Sequence, residues 1–144
     1  MPTTDFASEE IRDAAQGNAT GFALGTIAYL TQRGLPVEEW PALLGHVFSA
    51  GWNQLQQKDL ATIARVAALQ PISLGATVRS LSSNETHAEV VITAWPPQES
   101  LAAFGLSQAD ADVLWQTFAP IAQHLGLRFA MRRDGEELRL AFAR

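Results

Sequence analysis

The chain has no cysteine, which excludes disulfides, thiolate nucleophiles and cysteine metal sites together. Charge is scarce as well: 17% of the residues are charged, against about 25% in an average soluble protein. With hydrophobic residues at 47%, this balance points to surface hidden in an oligomer, and a homodimer is the expectation. The net charge of -5 disfavours a nucleic-acid partner, because phosphate binding is driven by lysine and arginine displacing counterions. The first residues, Met1 to Phe6, lack the basic-then-apolar order of a signal peptide. No run is apolar enough to cross a bilayer. A cytoplasmic protein with no membrane partner is expected.

Between Ala14 and Gln32 there is no charged side chain at all, and Gly17, Gly21 and Gly25 recur there every fourth residue, opposite the bulky Phe22, Ile27 and Leu30. Each glycine inside a helix costs about 1 kcal/mol relative to alanine. Three of them imply a close approach by another backbone or a ligand. The pattern predicts a buried helix with one bare flank, and that flank, Gly17, Gly21 and Gly25, is the expected dimer interface.

A length of 144 residues suits one domain, divided by pattern into a helical part over 1–70 and a ββαββ part over 71–144. Ser8 is placed to cap a first helix, with Glu9 and Glu10 in its first turn. The helix runs to Gln32 or breaks at Gly17 with Asn18 restarting it. A second helical region spans about Val37 to Gln70, with a bend or a short break expected at Lys58-Asp59 and a stop at Pro71. Ala76 to Leu81 and Ala88 to Ala94 flank the turn-forming Ser82 to Glu85 as a hairpin, ended by Trp95-Pro96-Pro97. Gln98 to Phe104 reads as a short helix stopped by Gly105. Ser107 caps a longer helix with Ala111, Leu114, Phe118, Ile121 and Leu125 on its buried stripe and a bend at Pro120. Leu127 to Arg133 and Glu136 to Ala143 flank Asp134-Gly135, a strong hairpin signal. The fold class is α+β: two helical segments, then hairpin, helix and hairpin, giving a four-stranded antiparallel sheet covered by helices on one face.

From about Gln70 to Phe142 the chain resembles small-molecule-binding domains of the 4-vinyl-reductase type, related to haem-NO-binding and TRAPP-like folds, and thiazoline carboxylate hydrolase-like proteins. The residues that carry the resemblance are Trp95-Pro96-Pro97 after a strand, Ala102 to Leu106 before a helix, Gly126 to Phe129 opening a hairpin, and Asp134-Gly135 through Phe142 closing it. In many relatives cysteines stand where this chain has Trp95, and near Asp112 and Arg139. The metal or thiol chemistry that those cysteines imply has no residues to carry it here. The resemblance implies a topology and a small-molecule ligand rather than a particular reaction.

The candidate chemistry is thin. His46, His87 and His124 have no metal-ligand spacing to one another, so no metal site is expected and the cofactor is unknown. His46 shares a helical flank with Ser49 and Asn53, either as an ordinary polar flank or as donors above Leu44 and Phe48. His124 near a helix C-terminus suits a boundary role, and His87 alternates outward. An imidazole at His46 or His124 can coordinate haem iron, yet no accompanying pattern supports it. The acidic pairs Glu9-Glu10, Glu38-Glu39 and Asp110 with Asp112 are read as helix-dipole compensation. Arg128, Arg132 and Arg139 on alternate strand positions form a solvated sheet face or an anion-binding one.

Tryptophans 40, 52, 95 and 115 each join a large apolar body to one donor, the type of side chain that lines ligand cavities. The reading that follows is a small-molecule-binding or sensory module with an apolar cavity between helices and sheet. Its expected ligand contacts are His46, Phe48, Trp52, Trp95 and Trp115, and its ligand is apolar or amphipathic. Two alternatives stand beside it: a hydrolase-like enzyme with His46 or His124 as base, and a ligand-free dimeric interaction protein.

Overall fold

A computed structural model describes residues 3–144, so Met1 and Pro2, which open the expected leaderless start, lie outside the described residues. Helix α1 runs unbroken over Ser8–Gln32, straight through Gly17. Ala7, not Ser8, occupies the capping position, and its backbone N–H donates to the Glu10 carboxylate at 2.7 Å. The buried face of α1 is Thr20, Ala23, Leu24, Ile27 and Ala28. Phe22, expected on the packed side, is 76% exposed. The small Ala23 and Ala28 let the helix sit close on that face, whereas Phe22 falls on the opposite side of the turn.

The expected second helical region is three elements. Helix α2 covers Glu39–Phe48, a 3₁₀ segment follows over Ser49–Leu55, and α3 covers Leu60–Ser73. The break lies where Lys58-Asp59 was expected to mark it. Gln57 takes a left-handed φ of 67°, and Asp59 caps α3 by accepting from the Thr62 N–H at 2.8 Å. Pro71 does not stop α3. It lies inside the last turn, where only one hydrogen bond is forfeited, and its own carbonyl accepts from the Leu74 and Ala76 N–H groups. Gly75, at a φ of 96°, makes the actual exit.

Four strands follow the predicted hairpins: β1 over Thr77–Ser83, β2 over His87–Thr93, β3 over Arg128–Asp134 and β4 over Glu137–Ala143. They form one antiparallel sheet in the order β1-β2-β4-β3. The fold is therefore α+β. In the first hairpin the Asn84 side chain accepts from the Thr86 and His87 N–H groups. In the second, Asp134 pairs with Glu137, so the two-residue loop is Gly135-Glu136, one position later than the sequence suggested. Gly135 supplies the positive φ, 61°, that such tight loops need. Ala88, Val90, Ile92, Leu138, Leu140 and Phe142 are buried on one face, as the alternation predicts.

Between the hairpins lie α4 (Gln98–Phe104), α5 (Gln108–Asp112), a 3₁₀ segment (Val113–Thr117) and α6 (Phe118–His124). Ser107 caps α5 in a reciprocal box with Asp110, as expected. The single bent helix expected here tightens into 3₁₀ geometry just before Pro120. Proline cannot donate to the carbonyl of Gln116, and the preceding turn tightens instead.

The helices form two tiers above the sheet. Helix α3 packs on β1 and β2, and α6 packs on β3. Outside them, α2 rests on the Val113–Thr117 segment and α6, while α1 rests on α4 and α5. The tiers are locked at one point by Gly45 of α2, where an added Cβ would collide with the Pro120 ring and the Thr117 carbonyl oxygen.

Candidate functional site

Where α1 and α2 stand off from α3 and the 113–121 stretch, a partly open cavity of about 420 Å³ remains. Helix α1 supplies Ala19, Phe22, Ala23 and Thr26; α2 supplies Trp40, Leu44 and Phe48. Trp52, Leu114, Trp115, Phe118 and Ile121 form the floor. No strand contributes to the lining, so the cavity lies between the two helical tiers and not between helices and sheet as the sequence suggested. Helix α3 packs on β1 and β2 and α6 on β3, and the small buried Ala64, Ala67 and Ala68 of α3 share one core with the strand residues.

No charged side chain lines this space. Thr26 Oγ1 donates to the Phe22 carbonyl at 2.8 Å, and Thr117 Oγ1 to the Leu114 carbonyl at 2.6 Å, so both hydroxyl protons are spent within their own helices. Trp115 differs. Its ring is only 4% exposed and its Nε1–H has no hydrogen-bond partner, an omission that costs about 1–3 kcal/mol in a buried donor. The floor is an aromatic chain: Trp115 stacks with Phe118 at 6.2 Å between centroids, and Phe118 meets Trp52 edge-on at 6.2 Å and Phe142 at 5.6 Å. Phe22 and Phe48, the latter 50% exposed, stand at the mouth.

Of the five expected ligand contacts, Phe48, Trp52 and Trp115 line this cavity. Trp95 and His46 do not. Trp95 lies behind the wall, edge-on to Trp115 at 5.1 Å, with its Nε1 donating to Thr20 Oγ1, which donates in turn to the Leu74 carbonyl. It serves as a tie between α1, the loop after α3 and the loop after β2. Ala94, in the left-handed region at a φ of 64°, turns the chain so that this ring enters the core. His46 is exposed and lines a separate shallow groove with Ser49, Asn53 and His124. There His124 Nε2 is hydrogen-bonded to Asn53 Oδ1, while Ser49 Oγ donates to the Gly45 carbonyl at 2.6 Å. Both histidines thus share one surface groove, and its hydroxyl is turned back into its own helix. Among the described residues no three metal-ligating side chains come together.

Trp40 and Leu44, named in the sequence as a cavity-type ring and as part of the Leu44–Phe48 face, were left out of the expected contacts, and Phe118 was read only as core. Trp40 precedes Pro41 at the start of α2, where facing is hard to assign. The glycine strip proves to be the far flank of α1. Gly17 and Gly21 line a groove beside α4 with no atom within 4 Å of an added Cβ, and Gly25 faces the Phe104 ring at 3.5 Å.

Asp112 corrects the dipole reading of the Asp110 pair. It ends α5 rather than starting it and is buried, held by the Arg133 guanidinium at two points and by Gln108 Nε2 at 3.0 Å. On the outer sheet face Arg139 lies between Glu89 at 2.9 Å and Glu137 at 3.1 Å, so most of its charge is met within the sheet.

No protein-family model matches the chain, and no curated protein matches it. The function is therefore argued from the geometry alone.

Proposed function

We propose that the protein is a binding or sensory module that takes a small apolar or amphipathic molecule into the cavity between its helical tiers. The supporting observation is an uncharged space of about 420 Å³ walled by Trp40, Trp52 and Trp115 together with Phe48 and Phe118. Sites for drug-sized ligands occupy roughly 300–1,000 Å³ and are lined in this way. The rims supplied by Phe22 and Phe48 extend the apolar surface outward, so a ligand tail longer than the cavity still meets carbon.

The test uses N-phenyl-1-naphthylamine, a neutral probe that fluoresces in apolar sites, with Leu44→Trp as the blocking variant. Leu44 lines the cavity and is half-buried, so the larger ring enters the open space. Saturable binding near one probe per chain, weakened at least tenfold in a folded Leu44→Trp protein, supports the reading. Equal binding by both proteins, or none by the wild type, overturns it.

A second copy of the chain is the partner we infer for the flank of α1 left open around Gly17 and Gly21, next to the point where Phe104 covers Gly25. Gly17, Gly21, Gly25 and Tyr29 continue one ridge at four-residue spacing, the row that interdigitates when helices cross. Tyr29 is 53% exposed and Phe22 beside that ridge is 76% exposed. Uncovered apolar side chains grouped this way mark interaction surfaces. Gly21→Leu fits the single chain, because nothing stands within 4 Å of the new Cβ. In sedimentation equilibrium the variant is expected to shift towards monomer with its helix content unchanged; an unaltered mass contradicts the dimer.

A further inference from the structure

We infer that the opening turns of α1, Ser8 to Asn18, are a docking arm that lies antiparallel along α1 of a second copy and closes the mouth of that copy's cavity. This rests on the second-copy reading above and adds to it the segment that docks, its direction, and the residue, Ile11, that one chain lends to the other's site.

These turns gain almost nothing from their own chain. Every residue from Ser8 to Ala15 is exposed, and none from Thr3 to Ala19 is buried. Among the described residues, the hydrogen bond that ties the arm to a distant part of the chain is the one from Gln16 Nε2 to the Ile72 carbonyl, at 3.3 Å. A helix of that length is marginal in water by itself, and its last residues, Gly17 and Asn18, are poor helix formers.

The arm also carries one end of an uncovered apolar face. Ile11, Phe22 and Tyr29 are 59%, 76% and 53% exposed. Their spacings are close to whole numbers of helical turns, so the three stand in line on the side of α1 opposite the buried Thr20, Leu24 and Ile27. Ala15, Asn18 and Thr26 fill the same line, while Glu9, Glu10, Arg12 and Asp13 fall off it. An uncharged face with large apolar side chains so exposed marks a contact surface.

Charge selects a second copy running in the opposite direction. Asp5, Glu9, Glu10 and Asp13 gather at the amino end of the helix with Arg12 alone among them, and Arg33 stands at the carboxyl end, its guanidinium 5.0 Å from the centre of the Tyr29 ring. Parallel copies would bring the two acidic ends together. Antiparallel copies place each acidic end beside the other's Arg33 and oppose the helix dipoles. A lipid surface is a poorer match, because helices that lie on membranes carry lysine and arginine on their polar face. Aligning the ends of the apolar line sets Ile11 against Tyr29 of the second copy and Asn18 against Phe22, each pair twice by symmetry. Phe22 and Thr26 line the cavity, so an arm crossing them covers its open side.

The chain has no cysteine, so single introduced thiols report neighbours cleanly. Ile11→Cys and Tyr29→Cys replace exposed side chains. The two variants, mixed, left to exchange subunits and treated with bis-maleimidoethane, should give the mixed product about tenfold above the self-product of either, since facing thiols react at a raised local concentration. Ile11→Cys joined mainly to itself signals parallel helices and overturns the inference, and so does a dimer joined at neither position. A wild type that sediments as monomer removes the second-copy reading and this inference together.

Closure of the mouth is read from the release of N-phenyl-1-naphthylamine. Ile11→Asp puts a charge into the apolar contact and should weaken self-association about tenfold; in its monomeric form it should release the probe about fivefold faster than the wild-type dimer, an effect on the off-rate. Unaltered association overturns the docking of the arm, and equal release overturns the closure even where the crosslink forms. Absence of probe binding by the wild type removes the cavity reading and the closure with it, while the crosslink still decides the docking.

Discussion

Gly45 and the Asp112–Arg133 pair are the residues on which the helical tiers most depend. At Gly45 an added Cβ would meet the Pro120 ring and the Thr117 backbone, neither of which can yield without moving a helix. Gly45→Ala is therefore expected to destabilise the protein by about 1–3 kcal/mol in chemical denaturation, the usual cost of overpacking. A change under 0.5 kcal/mol would show that α2 rides freely on α6. Arg133 grips Asp112 with two nitrogens, and the carboxylate side chain is 8% exposed. Arg133→Met leaves that carboxylate uncompensated and should cost about 3 kcal/mol; a near-neutral result would mean that Gln108 alone satisfies Asp112. Neither role could be read from the sequence. Gly45 is a lone glycine in a helix with no periodic signal, whereas the regular spacing of Gly17, Gly21 and Gly25 drew attention to a flank that carries little packing within the chain. Asp112 and Arg133 are far apart in sequence, and only the folding of α5 beside the second hairpin joins them.

Local chemistry sets the elements, and there the sequence is most informative. The hairpins, the Ser107 cap, the Gly105 stop and the break before α3 all follow from residues whose preferences are strong and local. Pro71 and Pro120 were harder, because a proline is tolerated in the first turn of a helix and costs a hydrogen bond further along, and the turn count depends on where the helix begins. The Asp59 cap offers a test at this scale. Hydrogen bonds from Thr62, its side chain first and its backbone N–H next, hold the Asp59 carboxyl below its ordinary value of 3.8. A carboxyl lowered on folding contributes stability above its unfolded pKa and loses it as pH falls through the folded one. Asp59→Ala should therefore lower the melting temperature at pH 7, and the gap between variant and wild type should close as pH drops below 3.8. A gap that persists unchanged at pH 2.5 would show that the cap works through shape and not through charge.

Across the whole molecule, the sheet and the helices seated on it form a closed core, and α1 and α2 form an outer tier. The aromatic chain from Trp95 through Trp115 and Phe118 to Phe142 runs inside this outer tier, and the Trp95 Nε1–H bond to Thr20 Oγ1 ties it to α1. Composition foretold the abundance of apolar surface but not where space would be left, since a cavity is set by the distances between helices and these are not encoded in any one stripe. Trp52, Trp115 and Phe48 could be chosen by type and facing, while Trp95 and His46, chosen the same way, lie elsewhere. No helix is long and apolar enough to cross a membrane among the described residues. The ligand and the second chain proposed above would each cover part of the exposed rings of α1 and α2. The central claim is that the gap between the tiers receives a small apolar molecule. Intermolecular nuclear Overhauser effects from bound N-phenyl-1-naphthylamine test it directly: they should reach ring protons of Trp52, Trp115 and Phe118. Contacts confined to the groove of Gly17 and Gly21, to the groove of His46 and His124, or to the outer face of the sheet would contradict it.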